Sequence, residues 1–336
     1  MATDRITMED VAARAGVSRA LVSIVFRGVP GASETTRERV LAAAAELDYR
    51  PDSRASRLGR RRTRTLGVTF AVGASFHGDL LQSLYTHADA AGYELVLSGV
   101  TADRPEVPAV ETLLAERCEG LILIGCTLPA SHLARIGARL PLVSVLRAVR
   151  ADSVDVVRTD DAAGLRLAVG HLVGLGHQHI ALLDGGRAPG ATERRRGYRS
   201  ALRQAGGLRE TLLPGGLTEL EGAAAALGFT DRQSAGPTAV AAFNDRCALG
   251  FIDNVRQHGL RVPADVSVVG FDDISQAAYP HVALTTVRQD ADRLAAAAVK
   301  AVMARLETLG KPSPPTASVI EPELVVRSST SPPGRN

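Results

Sequence analysis

The sequence predicts two structural parts, an N-terminal all-α helix-turn-helix domain and a larger α/β core of two lobes built on parallel sheets. Three observations lead to this fold class. Helix-capping residues and a helix-ending glycine recur at short spacing in residues 6–48. From residue 66 onward, short apolar runs alternate with amphipathic stretches rich in Ala and Leu. A break in this alternation, at residues 152–160, divides the second part into two comparable halves.

The first two predicted helices lie in the segment ITMEDVAARAGVSRALVSIVFRG. Thr7 is a suitable N-cap for a helix that runs to about Ala15, and Gly16 tolerates the left-handed conformation of a sharp exit. Ser18 caps the second helix. This spacing is typical of a helix-turn-helix, whose second helix enters the major groove of DNA. A plain three-helix cap on a larger protein is the alternative that these residues leave open.

A third helix is expected over residues 34–48, with Ser33 as its N-cap. Its inner face would carry Val40, Ala44 and Leu47. Residues 49–52 include a proline and stop the helix, and the arginine-rich segment 53–65 then leads into a strand.

The second part is predicted to hold parallel sheets covered by helices on both faces, because its strand-like runs are almost continuously apolar. The strand-like runs are residues 66–72, 93–98, 120–125, 140–145, 179–185, 238–244 and 266–272. The helix-like stretches between them include residues 79–91, 108–117, 161–175, 192–205, 245–259 and 290–309.

The charge of the chain is unevenly distributed. The net charge of the whole chain is +3, whereas residues 1–64 hold 13 arginines and 8 acidic residues, a net charge of +5. A small basic part on a near-neutral body indicates a polyanionic partner for the basic part. An ordinary solvated surface explains the charge equally well, so the motifs have to decide.

Several classes of protein are disfavoured by what the sequence lacks. It has no run of 18 apolar residues and no secretory signal at its N-terminus, so we expect a cytoplasmic protein without a membrane span. The three cysteines (Cys118, Cys126 and Cys247) are widely spaced, which indicates reduced packing residues and no metal site. Phosphate-binding glycine loops, zinc-protease motifs and nucleophile elbows are also missing. We therefore expect neither an enzyme nor a cofactor.

Segments throughout the chain resemble the lactose-repressor (LacI/GalR) family of bacterial transcription regulators. The N-terminal ones are TMEDVAARAGVS, TTRERVLAAAAELDYRPD and ASRLGRRRTRTLGV, and later ones include TERRRGYRSALRQAG, AFNDRCALGFIDNVRQHGLRVPADVSVVGFDD and LTTVRQD. In order and spacing the resemblance runs from Ile6 to about Arg327. It implies a ligand-responsive, sequence-specific DNA-binding regulator, expected to be a repressor that a small effector releases or activates.

The resemblance also implies a domain organisation. Residues 1–58 would form the DNA-binding domain, including a hinge helix at 53–58, and residues 59–65 a linker. Residues 66–329 would form a periplasmic-binding-protein-like core that binds effector and dimerises, followed by a disordered tail at 330–336. Because no heptad repeat follows the core, we expect homodimers on pseudo-palindromic operator DNA rather than tetramers.

The resemblance assigns DNA contacts to residues of the second helix and the hinge. Arg19, Ala20 and Ile24 occupy its base-facing positions, and only Arg19 among them can form a bidentate hydrogen bond to a base. Leu58 matches the leucine wedge that opens a base step in the minor groove. The remaining residues expected at DNA are Thr7, Ser18, Leu21, Ser23, Arg27, Arg54 and Ala55. Many relatives carry Arg at the position of Ile24 and a polar residue at that of Ala20, so the family pattern does not give the operator sequence.

Four residues match the ligand positions of the family: Phe76, Arg194, Asn244 and Asp272. The implied ligand is a sugar or a sugar derivative, with an acidic or phosphorylated derivative as an option because of Arg194. Each residue also has a purely structural interpretation. Asn244 and Asp272 would cap turns, Phe76 would belong to the core, and Arg194 would pair with Glu193 on a wet helix face.

Two other functions share parts of this pattern. A periplasmic-type sugar receptor would have the same two-lobe core, but residues 6–58 and the missing signal sequence disfavour it. An enzyme is disfavoured because the sequence contains no catalytic constellation. Binding to selected operator DNA separates the regulator from both.

Overall fold

The computed structural model describes residues 6–49, 62–230, 236–309, 311 and 313–334. The chain divides into two compact units, Met1–Thr63 and Arg64–Asn336. The boundary falls inside the expected linker 59–65, because Thr65 already begins the first strand of the second unit. The expected hinge helix at 53–58 lies outside the described residues.

The described part of the N-terminal unit consists of helices α1 (Met8–Ala15), α2 (Arg19–Arg27) and α3 (Glu34–Glu46). Thr7 and Asp10 form a capping box, in which the Asp10 carboxylate accepts from the Thr7 backbone N–H at 2.7 Å. Gly16 ends α1 with a left-handed φ of 62°, and Ser18 accepts from the Leu21 N–H to cap α2. The predicted helix-turn-helix is thus confirmed at the level of its caps.

The three helices enclose one small core of aliphatic side chains. Its buried members are Val11, Ala12, Ala15, Val22, Val25, Val40, Ala43 and Ala44. Helix α3 ends two residues earlier than expected, because Asp48 takes a positive φ of 47° and the Tyr49 N–H turns back to the Ala44 carbonyl at 2.8 Å.

The first lobe of the second unit is built on a six-stranded sheet with the order β11-β5-β4-β3-β1-β2, all of whose pairings are parallel. Its elements before the first crossing to the other lobe are β1 (Thr65–Ala71), α4 (Ser75–Ala90), β2 (Glu94–Val100), α5 (Glu106–Ala115), β3 (Gly120–Ile124), α6 (Ala130–Gly137), β4 (Leu142–Val145) and β5 (Asp155–Thr159). Strands β3 and β4 are buried at every position, as their apolar sequences predict.

The second lobe has a sheet of the same size with the order β12-β10-β9-β8-β6-β7. Its elements are α7 (Asp161–Gly174), β6 (Ile180–Asp184), α8 (Ala191–Gln204), β7 (Leu212–Pro214), α9 (Glu219–Thr230), β8 (Ala239–Ala242), α10 (Asp245–Gln257), β9 (Ser267–Asp272), a short 3₁₀ helix (Ser275–Ala278) and β10 (Thr285–Arg288).

The chain passes between the two lobes three times. The first passage follows β5, and the second leads from β10 to α11 (Ala291–Glu307), which packs on the first lobe. Strand β11 (Ala317–Ile320) then adds to β5 at the edge of the first sheet. After the third passage, β12 (Glu323–Val325) pairs with β10 in the second sheet. This last pairing is antiparallel, so the second sheet is mixed rather than purely parallel.

Part of the expected C-terminal tail packs on the second lobe. The Ser331 carbonyl accepts hydrogen bonds from Ser267 Oγ at 3.0 Å and from His177 Nε2 at 2.9 Å. The Thr330 hydroxyl lies 2.9 Å from His171 Nε2. These contacts give partners to polar side chains that are buried at Ser267 and His177, which differs from the expectation of disorder from residue 330 onward.

Three further observations concern the described residues only. All three cysteines are free and buried. Among the described helices, none combines the length and the apolar composition that crossing a membrane requires. The described histidine, cysteine and acidic side chains form no group of three or more that would hold a metal ion.

Candidate functional sites: the α2 surface and the interlobe cleft

The first candidate site is the solvent-facing side of α2 in the N-terminal unit. Val22 and Val25 are buried and anchor this helix on α1 and α3. The residues matched to DNA contacts lie on the other side: Arg19, Ala20 and Arg27 are exposed, and Leu21, Ser23 and Ile24 are half-buried. The fold therefore leaves this face of α2 accessible from the surface of its own unit.

Arg19 is held only weakly where it stands. Its Nε lies 3.5 Å from the Glu9 carboxylate, and the two side chains are 68% and 73% exposed. Exposed ion pairs of this kind contribute about 1 kcal/mol or less, so the guanidinium is available to a partner.

Three other matched residues have identifiable structural roles. The Thr7 hydroxyl donates to the Asp10 carboxylate at 2.7 Å, and the Ser18 hydroxyl accepts the Leu21 N–H at 3.3 Å. Arg27 Nε donates to the Ser23 carbonyl one turn earlier. Arg54, Ala55 and Leu58 lie outside the described residues, so their contacts with DNA remain expectations.

The second candidate site is a cavity of about 870 Å³ between the two lobes, called here the interlobe cleft. All four residues that the resemblance assigned to the ligand line it: Phe76, Arg194, Asn244 and Asp272. They come from four separate places in the sequence. Asp272 ends β9 and Asn244 follows β8, whereas Phe76 and Arg194 lie in the first turns of α4 and α8, the helices that follow β1 and β6. The carboxyl ends of the strands form the edge at which open α/β sheets bind ligands.

Arg194 is the most deeply integrated of the four. It is buried, and its Nε donates to Asp161 Oδ1 at 2.9 Å. Its guanidinium carbon lies 4.4 Å from the ring centre of Phe243 and 3.6 Å from that of Phe271, and one of its nitrogens donates to the Phe243 carbonyl. The alternative that placed Arg194 with Glu193 on a wet helix face is wrong. Arg194 instead presents a fixed, largely neutralised charge to the cleft.

Two carboxylates, those of Asp161 and Asp272, lie within 4 Å of the Arg194 guanidinium. Asp161 pairs with it directly, and Asp272 Oδ1 lies 3.9 Å from its Nη2. Burial raises the pKa of Asp161, and the adjacent guanidinium opposes this shift. Burial also raises the pKa of Asp272 to about 6, against the lowering effects of Arg194 and of a hydrogen bond from Gln289 Nε2 at 2.7 Å. Near neutral pH, Asp272 can therefore exchange a proton when its surroundings change.

Asn244 combines a cleft position with a structural role. Its Oδ1 accepts the Cys247 N–H at 2.8 Å and caps α10, and its Nδ2 donates to the Leu217 carbonyl at 3.0 Å. The capping interpretation thus describes the hydrogen bonds that Asn244 makes. The Asn244 amide keeps a second lone pair and a second N–H, and these are the groups with which it can bind a ligand while both bonds are retained.

Phe76 is 5% exposed and belongs to the main hydrophobic core, where it packs beneath the first-lobe wall of the cleft. Its core interpretation and its place in the lining are both true. The next residue, His77, also lines the cleft, and its Nδ1 accepts the Ala71 backbone N–H at 3.1 Å. Burial lowers the pKa of His77 to about 4, so the ring is neutral at physiological pH.

Several residues of the cleft were not predicted from the sequence. A usable signal existed for Asp161, since two adjacent aspartates, Asp160 and Asp161, stand at the start of α7 and a helix takes only one N-cap. Asp160 is that cap, which leaves Asp161 for Arg194. Arg246 gave no such signal, yet it pairs with Glu219 and donates to the Gly73 carbonyl of the first lobe.

The two walls of the cleft differ in chemistry. The first-lobe wall is mainly apolar or small, with Ala71, Gly73, Ala74, Phe76, Val100, Val107, Leu128 and Leu146 beside the polar Ser75, His77, Thr101, Glu106 and Thr127. The second-lobe wall carries most of the charged groups, with Asp161, Arg187, Arg194, Glu221, Arg246 and Asp272. A ligand that fits both walls has a hydroxyl-rich side and a less polar side.

Comparisons with known proteins agree with this two-part arrangement. A model of bacterial regulatory proteins of the lacI family matches residues 7–52, and a model of the periplasmic binding protein-like domain matches residues 169–330. The chain is 31% identical to the HTH-type transcriptional regulator GalR of Escherichia coli strain K12, over 97% of this chain and 96% of GalR.

Two solved structures extend the similarity to three dimensions. The lac repressor dimer bound to operator and the anti-inducer ONPF is 29% identical, with a TM-score of 0.79 over 98% of this chain and all of that chain. The complex of the transcriptional regulator CelR with cellobiose is also 29% identical, with a TM-score of 0.70 over 97% of this chain and all of that chain. The chain therefore belongs to the LacI/GalR family of bacterial transcription regulators, and it is a DNA-binding transcriptional regulator.

Proposed function

We propose that the protein is a homodimeric repressor that binds a pseudo-palindromic operator in the cytoplasm and responds to a small sugar-like effector in the interlobe cleft. It has no catalytic role in this proposal. The observation that carries the proposal is the convergence of Phe76, Arg194, Asn244 and Asp272 on one cavity of about 870 Å³. The same chain presents an accessible α2 face in a helix-turn-helix unit.

The chemistry of the cleft favours a neutral, hydroxylated effector over an acidic one. Arg194 already has Asp161 at 2.9 Å and Asp272 at 3.9 Å, so it offers little net charge to an anion. Carboxylate acceptors and guanidinium donors on one wall, facing an apolar wall, suit a sugar ring with polar edges and an apolar face. The cellobiose bound by CelR is a ligand of this kind and supports the assignment.

Operator reading is proposed to depend on Arg19. Its guanidinium fork can bond to guanine O6 and N7, whereas Ala20 and Ile24 offer only apolar contacts such as those with thymine methyl groups. Ser18, Leu21, Ser23, Arg27 and Thr7 would contact or position the backbone. Residues 53–58 would form the hinge helix on DNA, with Arg54 at phosphates and Ala55 and Leu58 in the minor groove.

Effector and operator would be coupled through two states of the protein. An effector that binds one state more tightly shifts the equilibrium toward it, and the operator shifts the same equilibrium in proportion to its own preference. A repressor of this kind is released when the effector prefers the state with lower operator affinity.

Selection of operators from random-sequence DNA, followed by gel-shift titration with and without sugars, tests the proposal. We expect a palindromic consensus bound by a dimer, and a sugar that changes the apparent affinity. Asp272→Ala should abolish the response to sugar and leave operator affinity without sugar near the wild-type value. A folded Asp272→Ala protein with an unchanged response would contradict the assignment of the cleft.

A further inference from the structure

The imidazole of His77 is a hydrogen-bonding group of the cleft that the family resemblance does not assign. His77 is the third residue of α4 and lines the first-lobe wall. Its Nδ1 accepts the Ala71 N–H at 3.1 Å. A neutral imidazole has one donor and one acceptor nitrogen, so this bond fixes the ring proton on Nε2.

The Nε2 edge of the ring is left open by its neighbour. In the part of the chain that the structure describes, no hydrogen-bond partner reaches Nε2. Gly125, which also lines the cleft, adopts a left-handed φ of 62°, and a Cβ built there would lie 3.3 Å from Nε2 and 3.2 Å from Cε1. The missing side chain at Gly125 keeps this edge uncovered, and the positive φ disfavours any replacement that would cover it.

The neutral state of the ring limits what it can bind. Burial lowers the pKa of His77 to about 4, so the ring carries no charge at neutral pH. A neutral N–H suits a hydroxyl, acetal or carbonyl oxygen, whereas a protonated imidazole would favour a carboxylate or a phosphate. The apolar residues around it on the first-lobe wall make a hydrogen bond in this place selective, because a polar group without a partner there is penalised.

We propose that His77 is a specificity-determining residue, whose Nε2–H donates a hydrogen bond to a neutral acceptor oxygen on the side of the effector that faces the first lobe. This inference rests on the effector role of the cleft proposed above. It narrows the effector to a ring with an acceptor on its less polar side, opposite the hydroxyls that meet Arg194 and Asp272.

The tautomer is tested without any ligand. Long-range ¹H–¹⁵N correlation spectra of the full-length protein, with His77→Gln used to assign the signals, should show Nδ1 as an unprotonated acceptor and Nε2 as protonated. The pattern should stay constant from about pH 6 to about pH 8. A proton on Nδ1, or a charged ring in this range, would overturn the proposal.

The binding role is tested by calorimetric titration with cellobiose, D-glucose, D-galactose and D-ribose. His77→Asn retains an oxygen that can accept the Ala71 N–H but removes the Nε2 donor, so the sugar that binds the wild-type protein best should bind roughly tenfold more weakly. His77→Gln restores a donor near the Nε2 position and should recover part of this loss. Thermal unfolding of both variants shows whether the fold is retained.

His87→Asn is the matched control, since His87 lies on the same helix and pairs with Asp292 away from the cleft lining. Its sugar affinity should equal that of the wild-type protein. A sugar that binds the wild-type protein and a folded His77→Asn protein equally well contradicts the role of His77 alone. Failure of all four sugars to bind the wild-type protein contradicts the carbohydrate class proposed for the cleft, and this role with it.

Discussion

Arginine serves two different purposes in this protein, and the difference comes from its surroundings. Arg194 is buried between two phenylalanine rings and paired with Asp161, so its geometry is fixed before any ligand arrives. Arg19 is 68% exposed, and its contact with Glu9 at 3.5 Å is long. The first arrangement suits a preorganised binding site, and the second suits a side chain that changes partner on meeting DNA.

Replacing Arg19 should therefore reduce discrimination between DNA sequences. We expect Arg19→Ala to weaken binding to the selected operator by about 1–3 kcal/mol per half-site and to relax the preference at one G·C pair. Arg39→Ala removes the same charge from an exposed position on α3 and serves as the control. Competition titrations with operator and random DNA measure both. An equal loss on the two DNAs for Arg19→Ala would contradict its assignment as a base reader.

Asp272 should make the ligand-free protein less stable as the pH rises. Burial raises the pKa of Asp272 from its usual 3.8 to about 6, so the folded protein holds a proton that the unfolded chain releases. The stabilisation from this proton is fully present below the pKa of the unfolded chain. It is lost as the pH rises through the pKa of the folded protein. Asp272→Asn should thus increase the free energy of unfolding at about pH 7.5 by about 1–3 kcal/mol, and by less at about pH 5.

Denaturant unfolding at the two pH values measures this effect. Asp265→Asn is the opposite control, because hydrogen bonds from Arg261 lower the pKa of Asp265 to about 2 and the substitution removes a favourable charge. If Asp272→Asn instead destabilises the protein at the higher pH, the attraction between Arg194 and the ionised Asp272 outweighs the cost of burying that charge, which would contradict the raised pKa.

At the scale of residues, the sequence predicts which side chains come together in the cleft, but it does not predict their hydrogen-bond partners. The four cleft residues were assigned through the family resemblance. They lie at strand ends or in the first turns of the helices that follow, and parallel strands bring such positions to one edge. Their hydrogen bonds depend on distant partners, such as Leu217 for Asn244 and Gln289 for Asp272, which no local spacing indicates. The tautomer of His77 likewise depends on a backbone group of β1.

At the scale of elements, the contact between α7 and α8 depends on the missing side chain of a glycine, Gly197. A Cβ at Gly197 would lie 2.3 Å from the Ala162 carbonyl oxygen, which is backbone and cannot move aside. Gly197 follows Arg194 by less than one helical turn, so this contact also helps to set where the guanidinium enters the cleft.

Two of the glycines in this helix pair, Gly197 and Gly170, should respond to alanine with opposite signs. Gly197→Ala should destabilise the second unit by about 1–3 kcal/mol or more and weaken sugar binding, because α8 has to shift. Gly170→Ala lies on the exposed side of α7 with nothing within 4 Å and should stabilise the same unit by about 0.5–1 kcal/mol. Thermal unfolding of the two variants checks both. If Gly197→Ala left the thermal stability unchanged, α7 and α8 would be able to move apart at little cost.

Elements were predicted well where local pattern determines them. Helix caps at Thr7, Ser18 and Ser33 are local signals, and all three are observed. The direction of the edge strand β12, which is antiparallel to β10, depends on how the chain returns from the first lobe, and no local pattern gives it. The packing of Ser331 on Ser267 also depends on a remote partner.

At the scale of the whole molecule, charge is divided unevenly between the two units. Arginines outnumber acidic residues in the first 64 residues, whereas the charged groups of the cleft largely neutralise one another. Binding at the two sites should therefore respond differently to salt.

Operator affinity should fall steeply with salt, because neutralised phosphates release their counterions on binding. Sugar affinity should change by less than about twofold over the same range, since the paired charges of a partly enclosed cleft are little screened. Titrations at low and high salt, of operator DNA alone and of sugar alone, give both slopes. A steep salt dependence of sugar binding would point to an anionic effector instead.

The three passages of the chain between the lobes have a consequence for synthesis on the ribosome. The N-terminal unit is complete after residue 63, whereas the outer strands β11 and β12 of both sheets come from residues 317–325. A nascent chain thus holds a finished DNA-binding unit long before either lobe has its last strand. A chain interrupted shortly before β11 would therefore lack one outer strand in each of the two sheets. Both sheets of the second unit therefore receive their last strand only after all their other strands have been made, within the short segment 317–325.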